Sequence, residues 1–234
     1  RERSLLFERC MIIMRILITG CPGTGKTSIS KSLIKGLKRL GKAQKAQRKA
    51  KRKKLSVNKK DLIKPTLLEI NKIADDFGLY EFFDDSLESK VVNIKSLENI
   101  LNEVLEIEEE KYNYIIIEGH LGVEIKIRKV DYVFVLRTNP LELEKRLEKR
   151  GYTKRKISEN INAELVDYFT IKAEKLYGRN KVFEVDTTTN NASENAKKIL
   201  EVVLGKKTKK ERKRISWSFI FERNLDFVVR HNKV

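Results

Sequence analysis

GCPGTGKT, residues 20–27, fits the phosphate-binding pattern G-x-x-x-x-G-K-[ST]. The apolar run from Ile16 to Ile18 precedes it and predicts a short strand, while Ser28 to Ile34 follows it and predicts the start of a helix. A glycine-rich turn can match such a pattern by chance. A strand before the loop and a helix after it favour nucleotide phosphate binding instead.

Each residue type in this loop has a chemical reason to be there. Gly20, Gly23 and Gly25 allow backbone conformations that point successive N–H groups at one anion, and the following helix adds its positive end. Lys26 can reach the β- and γ-phosphates, and the hydroxyl of Thr27 is suited to ligate Mg²⁺. We therefore expect ATP and Mg²⁺ at this loop.

The 234 residues are enough for one α/β domain with appended segments. No apolar run approaches the ~18–20 residues that span a bilayer, so no membrane partner is expected. Residues 1–13, RERSLLFERCMII, are too charged for a secretory signal, and we interpret them as an N-terminal extension outside the fold. The first strand follows directly from Met14.

The positive charge is concentrated in two segments. Residues 42–60 contain ten Lys or Arg and no acid, and residues 206–214 contain seven Lys or Arg and one Glu. These segments account for +16 of the net charge of +18, so the rest of the chain is nearly neutral. A basic run without an apolar stripe cannot pack on a core by itself and is typical of a solvent-exposed arm, helical when bound to something acidic.

The two cysteines have neither metal-ligand spacing nor a disulfide framework, which suits a reducing cytoplasm. Cys21 in the phosphate loop could be a low-pKa thiol near a helix N-terminus. A small side chain that faces away from the ligand is the favoured interpretation.

Strands alternate with helices along residues 14–204. A helix is predicted from Thr27 to Leu40, ended or capped by Gly41, and a basic insertion follows at 42–64. The second strand is placed at Leu67 to Ile70, with Leu55 to Asn58 as the alternative. Further strands are predicted at 114–117, 132–136 and 181–185, and further helices at 94–110, 140–151, 157–176 and 192–204.

This alternation predicts a three-layer α/β/α fold of the phosphate-loop NTPase type with a mostly parallel central sheet. Ligands of such sheets bind at the carboxyl ends of the strands. Residues 205–234 form a basic linker and an apolar tail, and the sequence leaves open whether residues 215–234 are a strand, a helix or a poorly ordered end.

Two polar side chains follow the predicted strand 114–117. Glu118 stands where a parallel-sheet NTPase places its acidic residue for Mg²⁺, bound directly or through water, and His120 could orient a water or an acceptor group. The alternative is that Glu118 caps a turn and His120 is a structural loop residue. The strand-end position favours function for both.

Arg146 and Arg150 lie one helical turn apart, just before Gly151. Paired guanidiniums beside a glycine hinge suit a short lid, at about residues 150–157, that closes over phosphates; a solvated helix face is the alternative.

The segment 71–94 is acidic and aromatic, and its rings could stack on a base or form local core.

Four motifs in this order resemble the atypical adenylate kinase family, of which adenylate kinase isoenzyme 6, the coilin-interacting nuclear ATPase, is typical. They are MRILITGCPGTGKTS (14–28), INKIADDFGLYEFFDD (70–85), IIIEGH (115–120) and VFVLRTNPLELEKRLEKRGYTKRKISENI (133–161). The resemblance covers about residues 14–204 and is to an archaeal-like member. Members are compact phosphate-loop proteins with adenylate kinase and ATPase activity that act in small ribosomal subunit maturation.

The resemblance implies roles for individual residues. The catalytic group would be Lys26, Glu118, His120 and Arg150, and Thr27 and Glu118 would hold Mg²⁺. Segment 71–94 would bind the acceptor. The ATP phosphates would contact Gly23, Gly25, Lys26, Thr27 and Ser28, and the lid arginine would be Arg150. From their positions in the loop and beside the lid, Thr24 and Arg146 are also expected to contact the nucleotide.

The leading hypothesis is therefore an adenylate-type nucleoside monophosphate kinase, a monomer that converts ATP and AMP to two ADP, with ribosomal RNA and a small-subunit ribosomal protein as partners. Three features depart from the family pattern: the insertion at 42–64, the tail after Gly205, and the absence of arginine between Ile73 and Lys90. Two alternatives stay open, a nucleotide-gated ribosome assembly factor with ATPase activity and a small-molecule kinase of shikimate or nucleoside type.

Overall fold

A computed structural model describes residues 13–51, 62–84, 89–205 and 214–232. The proposed N-terminal extension, except Ile13, lies outside these residues, as do parts of both basic segments and the alternative second strand at 55–58. Among the described residues, none of the helices has the length and apolar character needed to cross a membrane.

The central sheet contains five parallel strands in the order β2-β5-β1-β6-β7. These are β1 (Met14–Gly20), β2 (Pro65–Glu69), β5 (Tyr114–Glu118), β6 (Val130–Arg137) and β7 (Val182–Asp186). A separate antiparallel hairpin pairs β3 (Tyr80–Asp84) with β4 (Ser89–Val92). The sheet strands are short apolar runs because both faces of the sheet are covered.

Helices form a layer on each face of the sheet. The elements are α1 (Lys26–Lys51), α2 (Ile70–Asp76), α3 (Ile94–Glu109), α4 (Pro140–Glu148), α5 (Lys154–Leu165), α6 (Tyr168–Tyr177), α7 (Ala192–Val203), α8 (Ser218–Arg223) and α9 (Leu225–Asn232). Helices α1 and α7 bury their apolar side chains against one face, and α2 to α6 with the C-terminal tail cover the other. The predicted three-layer fold is confirmed.

The predicted end of the first helix at Gly41 is wrong. Helix α1 continues through Gly41 to Lys51, so the first part of the basic insertion is helical. The glycine serves packing: a Cβ at Gly41 would lie 2.5 Å from the carbonyl oxygen of Ile63, and Ile63 N–H donates to Gln44 Oε1 at 3.1 Å. The chain returning to β2 crosses α1 where α1 has no side chain.

The predicted single helix at 157–176 is also wrong, because the chain breaks between α5 and α6. Asp167 adopts a left-handed conformation (φ 56°), which an aspartate tolerates better than most residues. The guanidinium of Arg137 holds the break in place: it donates to the Glu164 carbonyl at 3.0 Å and contacts the Asp167 carboxylate.

Arg137 is the centre of a buried ion network at the end of β6. Its side chain is almost fully buried and lies 2.6 Å from Glu164 and 2.6 Å from Glu184. Trp217 Nε1 donates to the same Glu164 carboxylate at 2.9 Å, and Ile215 N–H donates to Glu184 at 2.6 Å. The network therefore fastens the C-terminal tail to β6, β7 and α5, since removing one partner would leave a buried charge uncompensated.

The described part of the tail after the basic linker is helical over Ser218–Arg223 and Leu225–Asn232, which favours the helix among the three alternatives. Its buried residues belong to the main core: Trp217, Ile220, Phe227 and Val228. At the far end, His231 Nδ1 lies 2.8 Å from Ser158 Oγ on α5 and His231 Nε2 lies 3.1 Å from Glu144 on α4. Because a carboxylate only accepts, Nε2 donates and Nδ1 accepts from Ser158 in the neutral ring.

Replacing the single tryptophan tests whether the tail is part of the folded core. Trp217→Ala should lower the free energy of unfolding by about 3–5 kcal/mol, because a buried ring and a hydrogen bond to Glu164 are lost. Leu225→Ala, at a side chain 61% exposed, is the control and should change it by less than about 1 kcal/mol. Urea unfolding followed by circular dichroism measures both; equal small effects would mean that the tail is undocked in solution.

Candidate active site

The phosphate loop folds back over the carboxyl end of β1. Gly20, Gly23 and Gly25 have φ values of 134°, 89° and 91°, a backbone conformation that favours glycine at each position. A Cβ at Gly20 would lie 2.5 Å from the Leu136 carbonyl oxygen on β6. The loop is thus pressed against the neighbouring strand and has no room for a side chain there.

Lys26 lies at the first residue of α1 and is held by the loop itself. Its Nζ donates to the carbonyl oxygens of Gly20 and Cys21, both at 2.9 Å. The buried Thr24 hydroxyl donates to the same Cys21 carbonyl at 2.8 Å. Burial lowers the pKa of Lys26 to about 8, with the Glu118 carboxylate opposing the shift, so the ammonium remains mostly protonated at pH 7.

Sheet register brings Glu118 to the loop. In the parallel ladder Glu118 at the end of β5 is the partner of Ile18, two residues before the loop begins. Its carboxylate accepts from the Thr27 hydroxyl, at 3.2 and 3.3 Å to its two oxygens. Burial raises the pKa of Glu118, while Lys26 and the Thr27 hydrogen bond counteract that effect. The two residues predicted to hold Mg²⁺ therefore meet in the structure.

His120 lies beside this pair, in a 3₁₀ turn formed by residues His120–Val123. Burial, together with the nearby Lys26 charge, lowers the pKa of His120 to about 4. The imidazole is therefore neutral at pH 7 and can both donate and accept a hydrogen bond. This suits a group that orients a ligand or a water rather than one that supplies positive charge.

Arg150 and Tyr152, in the turn between α4 and α5, complete a cavity of about 260 Å³ above the loop. The Arg150 side chain is exposed. The cavity is lined by Pro22, Gly23, Gly25, Lys26, Thr27, Ser28, Glu69, Asn71, Glu118, Gly119, His120, Arg150 and Tyr152.

The structure does not bring Arg146 into this cavity. The Arg146 guanidinium instead donates to the carbonyl oxygens of Thr187 and Thr188, at 3.1 and 2.8 Å, and pairs with Glu142 at 3.0 Å. The expected shared face with Arg150 fails because α4 ends at Glu148, so Arg150 lies in the following turn and not on the helix.

Cys21 is not a reactive thiolate. The side chain is fully buried and its Sγ donates to the Asn160 carbonyl oxygen at 3.4 Å. Burial raises the pKa of the Cys21 thiol well above its usual range. The interpretation of a small side chain turned away from the ligand is therefore confirmed.

Glu69 is the functional candidate that sequence reasoning missed. It ends β2 and is the in-register partner of Glu118, so two carboxylates stand side by side at the cavity. The nearby Glu69 charge also contributes to the raised pKa of Glu118. Glu118 was selected because it is an acid that ends an apolar strand. Glu69 fits the same description, but the second strand was predicted to end at Ile70, whereas β2 ends at Glu69.

The acidic and aromatic segment 71–94 contains most of α2 and the hairpin of β3 and β4, and its Asn71 lines the cavity. Phe77, Phe82 and Phe83 are more than half exposed, so the interpretation of these three rings as local core is wrong. Tyr80 is different: its hydroxyl donates to Asp75, and the Lys90 ammonium lies 4.5 Å from the ring centre. Exposed rings remain candidates for stacking on a base.

Residues 16–167 match the AAA domain family. A Methanocaldococcus jannaschii protein named "Putative adenylate kinase" is 33% identical over 216 residues, which cover 92% of this chain and 97% of that protein. A Methanosarcina acetivorans protein of the same name is 36% identical over 192 residues, 81% of this chain and 86% of that protein.

The fold also resembles a solved structure, the shikimate kinase from Acinetobacter baumannii in complex with shikimate. The TM-score is 0.52 at 14% sequence identity, with 84% of this chain and 96% of the other covered. At that identity the likeness concerns the fold.

A methyl group at Gly20 tests the loop packing. Gly20→Ala should lower the free energy of unfolding by about 3 kcal/mol or more, because left-handed strain adds to overlap with the Leu136 carbonyl. Gly78→Ala is the matched control: its φ is 61° with nothing within 4 Å of the new Cβ, so about 1 kcal/mol is expected. Thermal unfolding with and without ATP measures both, and ATP should no longer stabilise Gly20→Ala.

Proposed function

The chain belongs to the AAA domain family and to the family of the archaeal adenylate kinase relatives, and on that premise we propose that it is an adenylate-type nucleoside monophosphate kinase. Its reaction is ATP + AMP to two ADP. An oxygen of the AMP phosphate bonds to the γ-phosphorus of ATP while the bond from that phosphorus to the β-phosphate oxygen breaks. The observation that carries this proposal is the convergence of Lys26, Thr27, Glu118 and His120 on one cavity above the phosphate loop.

Binding and charge neutralisation are the protein's main tasks in such a transfer. The loop from Gly20 to Thr27 offers backbone N–H groups to the β- and γ-phosphates of ATP, with the N-terminus of α1 behind them. Lys26 leaves two loop carbonyls to contact the phosphates as a point charge. Arg150 closes from the turn after α4 and excludes water from the transferring group.

The donor set beside the loop fits a magnesium ion. Mg²⁺ prefers oxygen ligands, and the Thr27 hydroxyl and the Glu118 carboxylate already lie within hydrogen-bonding distance of each other. When bound, the ion neutralises charge on the β- and γ-phosphates. Glu69 offers a further carboxylate at the same edge of the sheet, where it can accept a hydrogen bond from a water of the ion.

Acceptor binding is assigned to the segment from Asn71 to Ile94. Asn71 and His120 line the cavity on this side, where a neutral imidazole orients the acceptor phosphate without adding charge. The exposed Phe82 and Phe83 rings provide flat apolar surfaces of the kind on which an adenine base stacks.

The acceptor side also favours a second function, ATP hydrolysis without phosphate transfer to AMP. It carries the Glu69 carboxylate and has no arginine between Ile73 and Lys90, so the AMP phosphate finds little positive charge there. In that case the protein is a nucleotide-gated assembly factor of the small ribosomal subunit, acting with ribosomal RNA and a small-subunit ribosomal protein, as its resemblance to the isoenzyme 6 type implies.

A coupled assay of ADP formation separates these functions. With Mg²⁺ and ATP, adding AMP should raise the rate strongly, whereas shikimate in its place should not. An unchanged rate on adding AMP would leave only the ATPase function. ADP formation that depends on shikimate would contradict both.

Lys26→Ala should reduce both activities at least about 100-fold, because the charge that contacts the phosphates is lost. Lys126→Ala, which removes an exposed lysine elsewhere, is the control and should keep the rate within twofold of the unmodified protein. Equal rates for the two variants would contradict the assigned role of Lys26.

Replacing Arg150 should lower kcat much more than replacing Arg146. Arg150→Ala should lower kcat about 100-fold, with partial recovery in Arg150→Lys, since a lysine restores the charge but not the planar fork. Arg146→Ala, whose guanidinium contacts Thr187 and Thr188 instead, should lower kcat less than about tenfold. Steady-state kinetics at saturating ATP measure both; a larger loss in Arg146→Ala would reverse the assignment.

A further inference from the structure

One exposed face of α1 carries a straight row of lysines. Lys31, Lys35, Lys38, Lys42 and Lys45 follow one another at alternating intervals of four and three residues, and each is exposed. On a helix this spacing places all five on one side, over a length of about 21 Å. We call this row the lysine ridge.

The lysine ridge is fixed to the body of the protein. The opposite side of α1 packs on the sheet through Ile29, Leu33 and Leu37. The outer half is held by the contacts of Gly41 and Gln44 with Ile63. Within the described parts of the chain, the five lysines form no ion pair.

The sequence continues the same charge beyond the ridge. Residues 42–60 contain ten Lys or Arg and no acid, in a chain whose other parts, apart from residues 206–214, are close to neutral. Five like charges in a row repel one another and do not stabilise the helix. Folding therefore does not explain the row, but a partner with regularly spaced negative charge would.

We propose that the lysine ridge binds the phosphodiester backbone of nucleic acid. A nucleic acid strand presents one negative charge per about 3.4 Å, independent of base sequence, and lysines that neutralise it release counterions. Ile34, the apolar neighbour of Lys31 and Lys38, packs against the core, which argues against a membrane surface and against base stacking. The proposal deepens the ribosomal role above by naming the binding surface, and it is independent of phosphate transfer to AMP.

The test uses the full-length protein, without nucleotide, and a fluorescein-labelled 20-nucleotide RNA in anisotropy titrations at several KCl concentrations. The ridge variant is Lys38→Gln/Lys42→Gln/Lys45→Gln; the matched control, Lys111→Gln/Lys126→Gln/Lys145→Gln, removes the same charge from exposed lysines elsewhere. The ridge variant should lower the slope of log K against log salt by about 2, since each single-strand contact contributes about 0.7. That corresponds to a loss of about 100-fold in affinity near 0.1 M salt.

The control variant should keep the slope within about 0.5 of the unmodified protein. Equal losses in both variants would overturn the proposal, because total charge and not the ridge would then bind RNA. A DNA strand of the same length should bind with similar affinity, since the contact is to the backbone. A higher affinity for RNA than for DNA would assign the ridge to RNA. Tighter binding of poly-glutamate than of either nucleic acid would overturn the proposal in favour of an acidic protein.

ADP formation measured on the same ridge variant should be unchanged, because its three lysines lie outside the phosphate cavity. Loss of RNA binding with normal kinase activity is the predicted combination. Normal RNA binding in the ridge variant would refute the proposal and leave the kinase assignment untouched.

Discussion

The turn at Gly20 is the constraint on which the site depends. The chain leaves β1 with a left-handed φ and so little space that a Cβ would overlap the backbone of β6. Because the loop lies this close to the sheet, its carbonyls can hold Lys26, and α1 begins directly over the carboxyl end of β1. The parallel register then brings Glu118 to Thr27 without any further adjustment of the loop. Backbone geometry, and not a flexible arrangement of side chains, therefore positions the charges.

The features of the fold and the site that could be predicted from the sequence are those that residues close together in the chain determine. The loop motif, the apolar strands and the acid at the end of β5 can be read from neighbouring residues, and the structure places Glu118, His120 and Arg150 around one cavity. What the sequence did not reveal depends on contacts between distant residues. The break at Asp167 follows from Arg137, which lies 30 residues earlier, and Gly41 is needed for Ile63 and does not end a helix. The prediction that Arg146 shares a helix face with Arg150 was wrong because α4 ends at Glu148, before Arg150.

The tail illustrates the same limit. Its aromatic residues gave no period that identifies a helix, and its position depends on the carboxylates of Glu164 and Glu184, which are already engaged by Arg137. Through His231 the tail also joins α4 to α5, the two helices on either side of the turn that carries Arg150. Helix α1 also has two roles: its first turn belongs to the phosphate site, and its exposed side carries the lysine ridge.

An adenylate-type kinase holds two nucleotides at once, and we propose that the phosphates of both meet beside Lys26. Calorimetric titration with a bisubstrate analogue, two adenosines joined by five phosphates, tests this claim most directly in the presence of Mg²⁺. One analogue should bind per chain, at least about 100-fold more tightly than ATP, because the analogue occupies donor and acceptor sites together. An affinity no higher than that of ATP would contradict this claim, since the acceptor site would then not bind a nucleotide.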